Sequence, residues 1–140
     1  MDRITKKHRS WNMSRIRSKN TKPEIVVRSL LHKLGYRFRL HVGRLPGRPD
    51  IVLRKWHTVV FVHGCFWHRH RACKFAYTPK TRRDFWARKF ARNVAKDVEA
   101  LKALRLDGWN VVTVWECQTR DLNRLARQLL AALAHSRTVP

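Results

Sequence analysis

At 140 residues the chain can bury one hydrophobic core and is too short for two domains. Thirty-two Lys and Arg against nine Asp and Glu give a net charge of +23, which implies a polyanionic partner, nucleic acid ahead of an anionic membrane. No apolar run reaches bilayer length, no signal-peptide pattern is present, and no helix sets a purely basic face against an apolar one, which excludes a membrane span and points to the cytoplasm.

Residues 1–20 form a basic arm with few apolar side chains, expected to order on DNA. Met13 and Ile16, three apart, would share one face of a helix formed on contact and could push between base steps; a solvated basic tail is the alternative. Residues 21–140 form the single folded domain. Thr21-Lys22-Pro23-Glu24 starts a helix, with Thr21 as N-cap and Glu24 reaching back in a capping box; Ile25, Val26, Leu30, Leu31 and Leu34 form its apolar stripe and Gly35 ends it. Tyr36 to Leu40 alternates apolar and basic residues and predicts a half-exposed strand. The Leu45-Pro46-Gly47-Arg48-Pro49 turn feeds Asp50 to Leu53, predicted to pair antiparallel with Thr58 to Val62. Thr81 or Asp84 is expected to cap a helix running to Leu106, with Phe85, Phe90, Val94, Val98, Leu101 and Leu104 buried. Gly108 stops it, and Val111 to Trp115 follows as a strand parallel to Thr58 to Val62 through a right-handed crossover. A last helix with Leu122, Leu125, Leu129, Leu130 and Leu133 on one stripe covers a sheet face. The fold class is α/β, or α+β with a mixed sheet.

The chemistry gathers where the run Val59 to Val62 ends. Between His63 and Cys73 the chain sets histidines, two thiols and the paired aromatics Phe66 and Trp67, which a buried strand does not call for. Three cysteines cannot pair off, and Cys65, His70, Cys73 and Cys117 supply the four ligands of a closed, structural zinc site. Cys65 and Cys117 lie just past the ends of parallel strands and emerge on one sheet edge, so the site would tie the loop to the core; buried free thiols are the alternative. Asp50, at the mouth of its strand, is either a turn residue paired with Arg48 or a carboxylate holding Mg²⁺ with a backbone carbonyl and phosphate oxygens. The hairpin brings His63 and His68 towards it, and a carboxylate, a cation and two imidazoles beside a basic surface make a phosphodiesterase centre. Phe66 and Trp67 either cap a small core or wedge into a base stack.

At these residues the chain resembles the very-short-patch repair (Vsr) endonuclease family over roughly Ser10 to Cys117. Leu45-Pro46-Gly47-Arg48-Pro49-Asp50, Val62-His63-Gly64-Cys65-Phe66-Trp67-His68 and Val114-Trp115-Glu116-Cys117 carry the likeness. It implies a restriction-endonuclease-like fold and a bacterial, nucleoid-associated, Mg²⁺-dependent enzyme, acting as a monomer. Such an enzyme nicks one DNA strand 5′ of the T in a T:G mismatch left by deamination of 5-methylcytosine and works beside other mismatch-repair proteins. The resemblance makes Asp50 the Mg²⁺ carboxylate, Val62 a carbonyl donor to the ion, His68 the base, His63 its helper at the phosphate, and Glu24 a partner of metal-coordinated water, against the capping role. It makes Cys65, His70, Cys73 and Cys117 the zinc ligands, and Phe66, Trp67 and Trp86 the intercalating aromatics. Met13 and Ile16 become the wedge on the opposite groove, and Lys89 and Asn93 side chains near the mismatch. Val62 stands where the family commonly has Thr, and the His70 to Cys73 spacing is one residue longer than usual, which leaves His68 as an alternative zinc ligand. Two rivals remain: a restriction or defence nuclease of the same fold acting on unmismatched DNA, and a zinc-stapled DNA-binding module without activity.

Overall fold

The computed structural model describes residues 20–134. Met13 and Ile16 lie outside the described residues. Helix α1 (Lys22–Lys33) leads into β1 (Arg39–Leu40), β2 (Ile51–Leu53), β3 (Thr58–His63), α2 (Arg83–Leu106), β4 (Asn110–Trp115) and α3 (Leu122–Ala134). Short 3-10 turns follow β2 and β4. The four strands lie in the order β1-β2-β3-β4, antiparallel until the parallel pair β3 and β4. The predicted hairpin and the parallel crossover strand are both present.

Two side-chain layers follow from strand alternation. Ile51, Leu53, Val60, Val112 and Val114 face α1 and α3, meeting Val27, Leu31, Leu125, Leu129 and Leu133. Val52, Val59 and Phe61 face the other way, towards Leu104 of α2. The sheet is therefore covered on both sides, which is why β2 is buried along its whole length and reads as a continuous apolar run.

Several sequence expectations change. The strand expected over Tyr36 to Leu40 shrinks to Arg39–Leu40, because β2 turns away after Leu53 and leaves the earlier residues no partner; Tyr36 and Phe38 pack on the core instead. In α1, Leu31 is buried and Val26 and Leu30 pack on the core as expected, but Ile25 is exposed and Val27, outside the expected stripe, is buried. Thr21 makes no side-chain cap, and Glu24 accepts the N–H of Asn20 at 2.8 Å instead of closing a box with Thr21. Helix α2 is capped by neither Thr81 nor Asp84: Arg82, left-handed at φ +53°, precedes it without a side-chain cap. Of the stripe expected there, Phe90 and Leu104 are buried, but Phe85, Val94 and Val98 are exposed, while Ala100, outside that stripe, is buried. In α3, Leu122 and Leu130 are likewise exposed beside the buried Leu125, Leu129 and Leu133.

Ala100 matters because of what it meets. Gly47, at φ +72°, lies where an added Cβ would come within 2.6 Å of the Ala100 Cβ and 3.2 Å of the Phe61 ring. The Pro-Gly turn thus rests against α2 with no room to spare, three residues before Asp50. Gly47→Ala is expected to cost about 2 kcal/mol or more, from strained φ and overpacking together. Ala100→Gly should recover only the packing part, a partition that urea unfolding of the two single variants and the double variant measures.

Candidate active site

β2 starts and β3 ends at the same edge of the sheet, so Asp50 and Val62 become neighbours. The Val62 N–H donates to Asp50 Oδ2 at 2.7 Å. Asp50 shares the strand parity of Val52 and therefore faces α2, as His63 does through the parity of Phe61. Burial raises the Asp50 carboxyl to about 6, with the Val62 N–H opposing and the Glu24 charge reinforcing the shift, while His41 and His68 oppose it. Asp50 makes no ion pair with Arg48; its carboxylate accepts the Val62 N–H instead.

Glu24 reaches this corner from α1 and is only 2% exposed. Its Oε1 pairs with His41 Nε2 and its Oε2 with the Asn20 N–H. One donor atom each from Glu24, His41 and Asp50 fall within 4.8 Å of one another. The oxygens of the two carboxylates, Glu24 and Asp50, suit a hard divalent ion such as Mg²⁺. His41 was not singled out from the sequence, because nothing in the alternating run before it marks the residue that turns the chain back to Asp50.

The imidazoles form a second group. His63 and His68 stack with ring centroids 3.8 Å apart, 5° from parallel. His68 Nδ1 lies 2.7 Å from Asp97 Oδ2 on α2. A carboxylate oxygen accepts, so in the neutral tautomer that makes this contact Nδ1 carries the proton and Nε2 is an acceptor. Burial lowers His63 to about 4, with the neighbouring His68 adding to the shift and Asp97 opposing it, so His63 is neutral at pH 7. Asp97 was missed in the sequence, where it is one carboxylate among the basic residues of a long helix.

Past Gly64 the chain turns back at the sheet edge, the His70 N–H donating to the Cys65 carbonyl. His70 Nδ1 then stands 3.6 Å from Cys65 Sγ and 3.4 Å from Cys117 Sγ, its ring stacked on Trp115 at 4.3 Å. With Cys73, the four donor atoms lie within 4.8 Å of one another, the set that a tetrahedral ion takes. His68 points to Asp97 and takes no part in this cluster. Burial pushes the Cys65 thiol up to about 12 and raises Cys117 as well. The Cys65 N–H donates to Glu116 Oε1 at 3.3 Å, tying the two strand ends further.

The loop so pinned carries Phe66, whose ring lies 5.1 Å from Trp67, 5.5 Å from Trp86, 5.2 Å from Phe90 and 4.9 Å from Tyr77. Arg69 clamps it: its guanidinium covers the Phe90 ring at 4.0 Å and donates to the carbonyls of Phe66, Ala76 and Tyr77. Lys89 Nζ sits 5.3 Å from the Trp67 ring and Asn93 Nδ2 donates to the Trp67 carbonyl, so both α2 residues bear on this cluster. Glu24, Asp50, His63, His68 and Asp97 all line one open cleft of about 1520 Å³, with Val94 and Val98 on its α2 wall. That exceeds the ~1,000 Å³ upper range of small-molecule sites and suits a polymer.

A family model described as DNA mismatch endonuclease Vsr matches residues 1–74, just over half of the chain. The chain belongs to the Vsr endonuclease family. A type II nicking enzyme of Xanthomonas oryzae, V.XorIIP, is 49% identical over 128 residues, covering 91% of this chain and 93% of the relative. V.NmeAIP of Neisseria meningitidis, also a type II nicking enzyme, is 42% identical over 139 residues, 94% of this chain and 99% of the relative. The DNA mismatch endonuclease Vsr of Escherichia coli is 41% identical over 122 residues, 87% of this chain and 78% of the relative. The protein is thus a DNA endonuclease of the Vsr family, with the mixed sheet and flanking helices of a restriction-endonuclease-like fold. Among the described residues no helix is long and apolar enough to cross a membrane.

Proposed function

We propose that this Vsr-family enzyme nicks one strand of duplex DNA on the 5′ side of the T in a T:G mismatch, with Mg²⁺ as catalytic cofactor and Zn²⁺ as structural cofactor. The observation that carries the reading is the meeting of Asp50, Glu24 and the His63–His68–Asp97 group in one cleft, beside an aromatic loop fixed by the Cys/His cluster. Relatives named as nicking enzymes and as a mismatch endonuclease favour single-strand cutting at a mismatch.

Asp50 and the Val62 carbonyl would hold the Mg²⁺, with Glu24 binding water beside it; when bound, the ion polarises the scissile phosphate and stabilises its developing charge. His68 takes the proton of the attacking water at Nε2, the nitrogen its Asp97 contact leaves free. His63, neutral and stacked on His68, keeps that ring in place and can donate to a phosphate oxygen. Phe66, Trp67 and Trp86 would open the base stack, whose unstacking is least costly at a mismatch, and Lys89 and Asn93 hold Trp67 towards it. Met13 and Ile16 would wedge from the opposite groove. The remaining basic surface binds phosphates without reading sequence. The domain of residues 21–140 works as a monomer in the bacterial cytoplasm, its arm ordering on DNA.

Asp97→Asn should lower single-turnover cleavage about 100-fold, by freeing the His68 ring to turn and to change tautomer, with DNA affinity unchanged within about twofold. Gel-shift and rapid-quench measurements on one substrate separate the two effects. The function itself is tested by a nicking assay with Mg²⁺ on otherwise identical T:G, T:A and C:G duplexes. One cut, 5′ of the mismatched T and on that strand alone, is expected. Equal cutting of all three duplexes would make the enzyme a restriction-like or defence nuclease; DNA binding with no cutting would make it a binding module.

A further inference from the structure

The hydrolytic roles employ Glu24 and Asp50 but leave the imidazole between them without a task. His41 is held there by both of its polar ends. Its backbone N–H donates to the Asp50 carbonyl at 3.1 Å, and its ring Nε2 meets Glu24 Oε1. To be so placed it adopts φ +49°, a left-handed conformation that a β-carbon makes costly. The side chain is 17% exposed, and that of Glu24 is 3% exposed.

The charge around this corner is unusual for this chain. Among the described residues neither Glu24 nor Asp50 has an ion pair with any Lys or Arg, although the chain carries 32 of them against nine acidic residues. Among the described residues the two carboxylates, one nearly inaccessible, have no Lys or Arg partner and share a histidine. Donor atoms of all three residues lie within 4.8 Å of one another, and Glu24 and Asp50 open onto the cleft, where water and phosphate oxygens could complete a coordination sphere.

Two oxygens and an imidazole nitrogen are a different donor set from the all-oxygen surroundings that Mg²⁺ prefers. Nitrogen donors raise affinity for first-row transition ions along the series that begins at Mn²⁺. We propose that His41 is a metal ligand, so that Glu24, His41 and Asp50 form a mixed-donor site binding a Mn²⁺-class cation more tightly than Mg²⁺. The inference rests on the reading that Asp50 holds the catalytic cation, and it adds the residue that sets which cation is preferred.

The test uses the full chain without DNA and Mn²⁺ as the probe, a hard ion that favours this corner over a thiol-rich cluster. Electron paramagnetic resonance counts bound Mn²⁺, competition with Mg²⁺ gives the relative affinity, and electron spin-echo modulation reports whether a ¹⁴N nucleus is coupled to the ion. Wild-type protein should show the nitrogen coupling. His41→Gln, which retains an amide to meet Glu24, should lose it, with Mn²⁺ affinity falling about tenfold or more while Mg²⁺ affinity changes less than about threefold. His41→Asn, a residue that tolerates left-handed backbone, should behave alike, and unchanged unfolding midpoints would show that neither loss is a folding defect. If both variants keep Mn²⁺ affinity and coupling while Asp50→Asn abolishes binding, the cation corner stands and His41 is not its ligand. If Asp50→Asn binds Mn²⁺ as the wild type does, the assignment of Asp50 fails, and this inference with it.

Discussion

Asp50→Asn is expected to abolish nicking and at the same time to make the metal-free protein more stable at neutral pH. The first effect follows from its place at the cleft, where the carboxylate would hold the ion; loss of the phosphate polarisation it supports should lower the rate by on the order of 10³-fold or more. The second follows from burial. The Asp50 carboxyl titrates at about 6 in the fold against 3.8 for the free group. A raised pKa contributes stability that is fully present below the unfolded value and lost as pH rises through the folded one. At pH 7 the ionised carboxylate therefore costs about 3 kcal/mol relative to its protonated form. Asn resembles that protonated form and can still accept the Val62 N–H. The variant should match the wild type below about pH 4 and exceed it by up to about 3 kcal/mol above pH 6. His63 acts in the opposite sense: its pKa is lowered from 6.5 to about 4, so its contribution is lost as pH falls between those values. It is present in both proteins and cancels in the difference. Urea unfolding of each protein in chelator across pH 4 to 8 measures this, and a variant no more stable than the wild type at pH 7 would show that Asp50 carries no such burial cost.

Emptying the Cys/His cluster of the Zn²⁺ proposed for it should have the largest effect on the fold. The four residues join the loop after β3 to the end of β4, a link that Trp115 and Glu116 support but do not replace. Structural zinc contributes on the order of 10 kcal/mol to small domains that depend on it, comparable with the whole stability of a domain this size. Chelation, or Cys117→Ser, is therefore expected to release the Phe66 and Trp67 loop and lower the thermal midpoint by more than about 10 °C. Restoring Zn²⁺ to the chelated protein should displace protons, since the Cys65 thiol, raised to about 12 by burial, is protonated until an ion ionises it. Calorimetry in two buffers of different ionisation enthalpy counts them: two or more per ion is expected, and none would mean that the thiols do not ligate. Loss of tryptophan fluorescence structure on chelation reports the loop directly, because Trp67 is buried in its cluster.

The parts of the site that local sequence made legible are those within a short span of chain. The Leu45 to Asp50 turn and the loop from His63 to Cys73 declare themselves by residue types that a packed core does not call for. Sheet logic then placed the distant member: parallel β3 and β4 end at one edge, so Cys117 had to emerge beside Cys65. The helical stripes were less legible. Periodicity gives the apolar face of α2 but not how far its neighbours cover it, and the cleft leaves Val94 and Val98 open.

Sequence alone determined the order of the elements, the β2–β3 hairpin and the parallel β4, the family resemblance and the chemical kinds of group at the sheet edge, because these depend on alternation, helical period and closely spaced residues. Only the tertiary structure decided who partners whom across the chain. It set Asp97 on His68, His41 beside Glu24 and Asp50, and Ala100 against Gly47, and it buried the Glu24 carboxylate. Each of those contacts joins elements that chain periodicity leaves independent, so they exist only once the helices have packed onto the sheet.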